Sequence, residues 1–482
     1  MKKKLLVFFL MPFVSLSQVQ IGQDILGETI ISQFGTSVDI SIDGNIVAVG
    51  APRDNDNGFE AGDTKLYRLI NNSWIQIGDD IEGEAANNDS GLSISLSDDG
   101  SIVAIGAPGN TTENNGTGHI RVFQNINDIW TQVGSDIDAT PNLNEQLGKR
   151  VSLSSDGTIL AALAHNNFNH FVRVFQFNNG LWTQVGQDIF EGYELDSFGH
   201  YISLSSDGST LAIGNRDASI GFNRGRVRVY ENINNTWTQV GQDLEGDFDG
   251  DYFGSSVTLS TNNNILAVGV SFSNINGSDS GQVKVYQNIN NVWTQIGQDV
   301  NGDANNDKFG TSISLSSNGY IMAIGAPNNS SGGGFSGQIK VYQYDGLNWN
   351  QIGTDIIGNS SDQLGISVAL SGDGSRLIGG AATASPNNSS GLARVYDLSS
   401  LLSTNEQNIT DFRIYPNPTK NQFIVQSVNP YDLRNVNVYD NLGKLVLTSK
   451  ETIINTSGLS SGLYTVEVET TKTKGIKKFI IE

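Results

Sequence analysis

The tripeptide Gln-(Ile/Val)-Gly recurs seven times, with its glycine at positions 22, 78, 134, 186, 241, 297 and 353. The spacing stays between 52 and 56 residues, and all six tryptophans (Trp74, Trp130, Trp182, Trp237, Trp293, Trp349) stand four residues before the last six glycines. A fixed period of this length means one supersecondary unit repeated in tandem, each unit needing its neighbours to bury its apolar face.

Every unit carries four short apolar runs. In the sixth, a run follows Phe309-Gly310, and the Asn318-Gly319 dipeptide then favours a hairpin turn. Next come Ile321-Met322-Ala323-Ile324-Gly325-Ala326-Pro327, a long polar loop, Gln338-Ile339-Lys340-Val341-Tyr342 and the Trp349 run. Four antiparallel strands per unit in a tandem array predict an all-β chain built as a β-propeller. A parallel β-helix needs a shorter period, and a string of sandwiches needs larger units. Residues 18–24 contain the first Gln-Ile-Gly without preceding strands, whereas the last unit has no tryptophan strand. The expectation is therefore that residues 18–24 complete the last blade. Seven blades over residues 18–398 would close, removing two open sheet edges.

Composition narrows the function. The 482 residues include no Cys, so disulfides, thiolate metal sites and a Cys nucleophile are excluded. Lys+Arg number 28 against 50 Asp+Glu, a net charge of -22, which disfavours a nucleic-acid partner. With 21 Phe, 14 Tyr and six Trp, the chain has the payload for a packed core despite only 37% hydrophobic residues.

The ends differ from the middle. Residues 1–17, MKKKLLVFFLMPFVSLS, place three lysines before a short apolar stretch and a Ser-Leu-Ser triplet, the layout of a secretory signal peptide. The stretch is too short to span a membrane, and no later segment qualifies. A linker is expected at 399–407. Residues 408–482 alternate short apolar runs with Gly, Asn and Pro turns, which reads as a small immunoglobulin-like β-sandwich of about seven strands. Its order of Tyr415-Pro416-Asn417-Pro418, Val438-Tyr439-Asp440 with Gly443-Lys444, Gly462-Leu463-Tyr464 and Lys477-Lys478-Phe479 closely resembles the type A sorting domain of type IX secretion substrates. The resemblance implies a Bacteroidetes-type bacterium, an export address read by outer-membrane machinery, and an extracellular or cell-surface location. An adhesion module of immunoglobulin type is the competing reading.

The recurrent pairing of Phe-Gly with Gly-Ala-Pro, as in Phe34-Gly35 with Gly50-Ala51-Pro52, resembles the FG-GAP repeats of integrin α-subunit propellers. The likeness spans all seven units but is degenerate: Ser90-Gly91 stands in the second, and Leu precedes Gly in the third and seventh. That family holds calcium in a long Asp-rich loop between the first two strands. Here the connection is a short Ser-x-Asp-Gly turn, which supplies too few oxygens, so those calcium sites do not carry over.

Long, diverse loops gather at one end of the strands, the place where a rigid scaffold presents function. There the third and fourth units break the repeat. Lys149-Arg150 and His200-Tyr201 replace the usual Thr or Ser, while His165, with His170 nearby, and Arg216 end the second strands. These six site residues (Lys149, Arg150, His165, His200, Tyr201, Arg216) would make a cationic mouth suited to an acidic sugar or carboxylate; simple repeat drift is the alternative. Asp247, Asp249 and Asp251 have a spacing that admits loosely bound calcium, with a solvated turn as the competing reading. Asp196, Asp251, Asp307 and Asp362 recur two residues before Phe/Leu-Gly, which predicts capping of backbone amides. No nucleophile elbow, zinc-protease motif or phosphate loop is present. The expected function is a monomeric, secreted or surface-held binding or adhesion protein with no required cofactor. An extracellular polysaccharide lyase or hydrolase, acting at the mouth of blades three and four, is the alternative.

Overall fold

A computed structural model describes residues 18–109, 118–140, 145–165, 170–190, 201–216, 223–384, 390–402, 412–427, 433–440, 444–470 and 474–481. The chain divides after Leu401 into two units.

The first unit is all-β apart from a four-residue helix, Ser399–Leu402, whose Leu401 is buried. Its described residues form seven antiparallel sheets, each a meander in sequence order. The first sheet pairs Ser37–Ile40, Ile46–Ala51, Asp63–Ile70 and Ser73–Gln76. The seventh pairs Ser367–Leu370, Arg376–Ala381 and Leu392–Asp397, and its missing partner comes from the other end of the sequence. Val19 and Gln20 align with Asp397 and Tyr396, and Ile25 and Leu26 with Ala393 and Leu392.

Glycines explain both the period and the tryptophans. Gly78 sits at φ 73°, and a Cβ there would lie 2.7 Å from Cδ1 of Trp130 in the next sheet. The same seat links Gly22 with Trp74, Gly186 with Trp237, Gly241 with Trp293 and Gly297 with Trp349. The indole then donates backward, Trp130 Nε1 to Ile77 O at 2.8 Å and Trp74 Nε1 to Ile21 O at 3.0 Å. After Gly353 no tryptophan follows, and Gln18 and Leu401 occupy the corresponding space. The turn at these glycines also splits the expected fourth strand. In four of the first five sheets a two-residue strand such as Ile81–Glu82 returns to the start of the third strand, a division the four-strand reading did not anticipate.

A second pair of glycines joins the sheets near their first strands. A Cβ on Gly50 would meet Gly91 O at 2.2 Å, one on Gly106 would meet Gly148 O at 1.9 Å, and one on Gly325 would meet Gly365 O at 2.0 Å. Hydroxyls reinforce the junction: Ser37 Oγ donates to Gly91 O and Ser312 Oγ to Gly365 O, both at 2.7 Å. The seventh sheet meets the first identically, with Ser367 Oγ 2.8 Å from Gly35 O and Gly380 facing the same carbonyl.

The second unit has a three-stranded sheet (Phe412–Tyr415, Gln422–Ser427, Ile453–Asn455) and a four-stranded sheet (Leu445–Ser449, Leu433–Tyr439, Gly462–Thr470, Lys474–Ile481). One apolar cluster, including Phe423, Val436, Ile454, Val466 and Phe479, draws on both.

Candidate functional site

Cations on the third strands follow one rule through most of the sheets. Lys65, only 1% exposed, places Nζ 2.9 Å from Glu28 and 2.8 Å from Asp80. Burial pulls its pKa down, but the hydrogen bonds to Asp80 and Glu28 outweigh it and hold the ammonium above its ordinary value. Arg173 pairs with Glu145 and Asp188, Arg228 with Asp243, Lys340 with Asp303, and Arg394 with Asp24. Four of the partner aspartates (Asp24, Asp80, Asp188, Asp243) stand two residues after the glycine of the Gln-(Ile/Val)-Gly tripeptide, so these pairs are framework.

The third and fourth sheets hold cations of another kind. Lys149 and Arg150 precede the strand Val151–Leu153, Tyr201 opens Tyr201–Leu204, and Arg216 follows Thr210–Asn215. All are half-buried at the same end of their sheets. The Arg150 guanidinium lies over the Tyr201 ring, 4.7 Å from its centroid, and Arg150 Nη1 donates to Lys149 O at 2.9 Å. Burial, then the charges of Arg150 and Arg216, depress the Lys149 ammonium, so three cations share a neighbourhood. Neither Lys149 nor Arg150 has a carboxylate within ion-pair distance among the described residues.

Two histidines back this cluster. His165 and His170 face each other across the hairpin, ring centroids 4.0 Å apart. His165 Nδ1 lies 3.3 Å from Gln146 Oε1, and the buried Nδ1 of His170 has no hydrogen-bond partner among the described residues. Burial, and then the neighbouring charges, lower both rings, His170 to about 4. At neutral pH the positive charge therefore resides on Lys149, Arg150 and Arg216. His200 lies outside the described residues, as does Asp196.

The acidic candidates do not converge. Asp247 pairs with Lys284, Asp249 with Arg224 at 3.1 Å, and Asp251 accepts the Phe248 N–H at 3.0 Å. Asp307 and Asp362 accept the N–H groups of Ala304 and Asn359 in the same geometry, the capping role expected from their recurrence. Two other groups do converge. Glu28, Asp56 and Asp80 bring carboxylate oxygens within 4.8 Å of one another, with Glu28 and Asp80 ion-paired to Lys65, whereas Glu84 and Asp136 face the buried His119. His119 escaped the sequence reading because it is separated from the other histidines by half a hundred residues; its alignment with Gln282 and Gln338 was the available signal. A cavity of about 410 Å³ opens between the first and second sheets, with Asp79, Asp80, Glu82 and Arg121 in its lining.

In the second unit the motif residues tie the chain end down. Asn417 Oδ1 accepts the Ile480 N–H at 2.9 Å, and Tyr464, buried against Phe479, donates its hydroxyl to Ser460 O at 2.8 Å. Lys477 and Lys478 pair with Val466 and Thr465, Gly462 pairs with Ile481, and the Tyr415-Pro416 and Asn417-Pro418 bonds are cis. Residues 413–482 match the family described as secretion system C-terminal sorting domain. These residues are a sorting domain. The protein is therefore exported by type IX secretion, to the cell surface or the extracellular space. No helix among the described residues is long and apolar enough to cross a membrane.

No curated protein matches the chain. Among solved structures it is similar to a candidate 6-phosphogluconolactonase from Bacteroides uniformis, at 12% identity and TM-score 0.46, covering 67% of this chain and 86% of that one. A functionally unknown protein from Desulfotomaculum acetoxidans follows at 13% identity and TM-score 0.44, with 72% and 92% covered. TolB from Acinetobacter baumannii gives 13%, 0.38 and 66% of each chain. None of these likenesses is close enough to transfer a function.

Proposed function

We propose that this sorting domain exports a non-catalytic binding protein whose residues 18–398 form a closed seven-bladed propeller of FG-GAP-like repeats. The meander sheets, the strand contributed by residues 18–26 and the Ser367–Gly35 hydrogen bond support that architecture. The propeller presents the cluster of Lys149, Arg150, Tyr201 and Arg216, with His165 alongside, to an anionic glycan at the cell surface or beyond.

One observation carries the reading. On a chain of net charge -22, the framework cations are matched to carboxylates, whereas Lys149 and Arg150 stand together without one among the described residues. Like charges held in a half-buried site cost free energy that an anion offsets on binding. Tyr201, steadied by the Arg150 guanidinium, adds a flat apolar surface on which a sugar ring can rest. The test is binding of the purified protein to arrays of neutral and acidic glycans. Uronate or sulfated glycans are expected to bind, and Lys149→Ala with Arg150→Ala to weaken them at least about tenfold, the scale of losing one charged hydrogen bond. Silence toward every acidic glycan, or equal binding by the folded double variant, would refute it.

A further inference from the structure

In the first, fifth and sixth sheets a carboxylate pair brackets an ammonium. Glu28 and Asp80 hold Lys65 at 2.9 and 2.8 Å, Asp247 and Asp299 hold Lys284 at 2.5 and 3.5 Å, and Asp303 and Asp355 hold Lys340 at 2.6 and 3.8 Å. Glu84 and Asp136 are the equivalent pair for the second sheet, six residues after Gly78 and two after Gly134, as Glu28 and Asp80 stand six after Gly22 and two after Gly78. Their cation, Arg121, does not bracket the pair: its Nη2 donates to Glu82 O, and its Nη1 reaches only Glu84, at 3.8 Å. The group that reaches both carboxylates is His119, with Nδ1 3.8 Å from Glu84 Oε2 and 3.8 Å from Asp136 Oδ2. These separations exceed hydrogen-bond length. At the same position Gln282 and Gln338 bond directly to their aspartates, at 3.2 Å to Asp299 and 2.8 Å to Asp355.

We propose that Glu84, His119 and Asp136 bind a zinc ion that bridges the first and second sheets. One imidazole nitrogen and two carboxylate oxygens form a donor set suited to zinc. With bonds of about 2.1 Å, tetrahedral donors lie roughly 3.4 Å apart, within a small rotation of the separations found. Two carboxylates balance the ion, and Asp138 adds negative charge nearby against that of Arg121. Gln132 Nε2 donates to Asp136 Oδ1 at 2.6 Å, fixing that ligand from outside. His119 is 1% exposed, while the Glu84 and Asp136 side chains are 38% and 28% exposed, so the site opens to solvent on the carboxylate side.

Equilibrium dialysis of the purified full chain against zinc chloride, with thermal unfolding in zinc and in EDTA, tests the assignment. One zinc per chain is expected, with a rise of a few degrees in the unfolding midpoint that EDTA reverses. His119→Gln restores the residue of the fifth and sixth sheets and should leave the metal-free midpoint near the parent value while weakening zinc at least tenfold. Glu84→Gln, at a more exposed ligand, should weaken it similarly and decides the question if His119→Gln does not fold. No stoichiometric zinc, or equal zinc binding by the folded variants, would overturn the proposal.

Discussion

Asp39 occupies a place that other sheets give to serine. Ser95, Ser152, Ser203 and Ser314 each accept, through Oγ, the N–H of a leucine in the following sheet (Leu153, Leu204, Leu259 and Leu370), at 2.9 to 3.0 Å. Asp39 Oδ2 does the same for Leu96 at 2.7 Å, and Oδ1 accepts its neighbour Ile40 N–H. The acceptor is conserved in role but now carries a charge, and burial pushes the carboxyl up to about 6 despite those two bonds. A raised carboxyl costs stability above its folded value, and the cost fades as pH falls toward the unfolded value. Asp39→Ser is therefore expected to stabilise the protein by about 3 kcal/mol at pH 8 and by little at pH 4, from about two units at 1.36 kcal/mol each. Urea unfolding at the two pH values measures the difference; a gain independent of pH would contradict this account. The turn aspartates behave oppositely. For Asp156, burial raises and hydrogen bonds from Thr158 and Ser154 lower, and the lowering wins, so its contribution is lost only in stronger acid. The Asp-Gly pattern made those turns legible from sequence. The role of Asp39 was not, because its partner Leu96 lies 57 residues away in another sheet.

Within and between sheets, the periodic glycines and tryptophans form one device. A methyl group on Gly325 would strike the Gly365 carbonyl at 2.0 Å, and backbone cannot step aside without separating two sheets. Gly325→Ala should cost at least about 2–4 kcal/mol, as overpacking of a rigid junction does. Gly334→Ala, where a Cβ meets nothing within 4 Å, should change stability by less than about 0.5 kcal/mol. Thermal unfolding of the pair checks this, and similar midpoints would sink it. The third unit shows why the motif is degenerate there: Leu163 stands where other units place this glycine, and it is buried at 1%. Unlike the glycine rule, the carboxylate pairs around Lys65, Lys284 and Lys340 could not be foreseen. Their acids and bases come from three separated stretches, and only pairing of adjacent sheets unites them.

For the whole molecule, the decisive contact joins residues nearly four hundred positions apart. Val19 and Gln20 lie on Asp397 and Tyr396, and Asp24 receives a bidentate grip from Arg394 at 2.9 and 2.8 Å. A chain lacking residues 18–26 leaves Leu392–Asp397 with one open edge and Arg394 without its main partner. It is expected to unfold at a lower temperature and to form oligomers by edge pairing, seen by light scattering after size exclusion. A monomer with the parent midpoint would argue against closure. The repeat period, the turn chemistry, the export domain and the orphan first strand were all determined by sequence, because each rests on neighbours within one unit or on a motif read in order. Tertiary structure decided which charges are spent in framework pairs and which, like Lys149 and Arg150, stand apart from every carboxylate among the described residues. It also decided that His119 faces two carboxylates. Those outcomes depend on side chains meeting across sheet junctions, where spacing along the chain carries no information about distance.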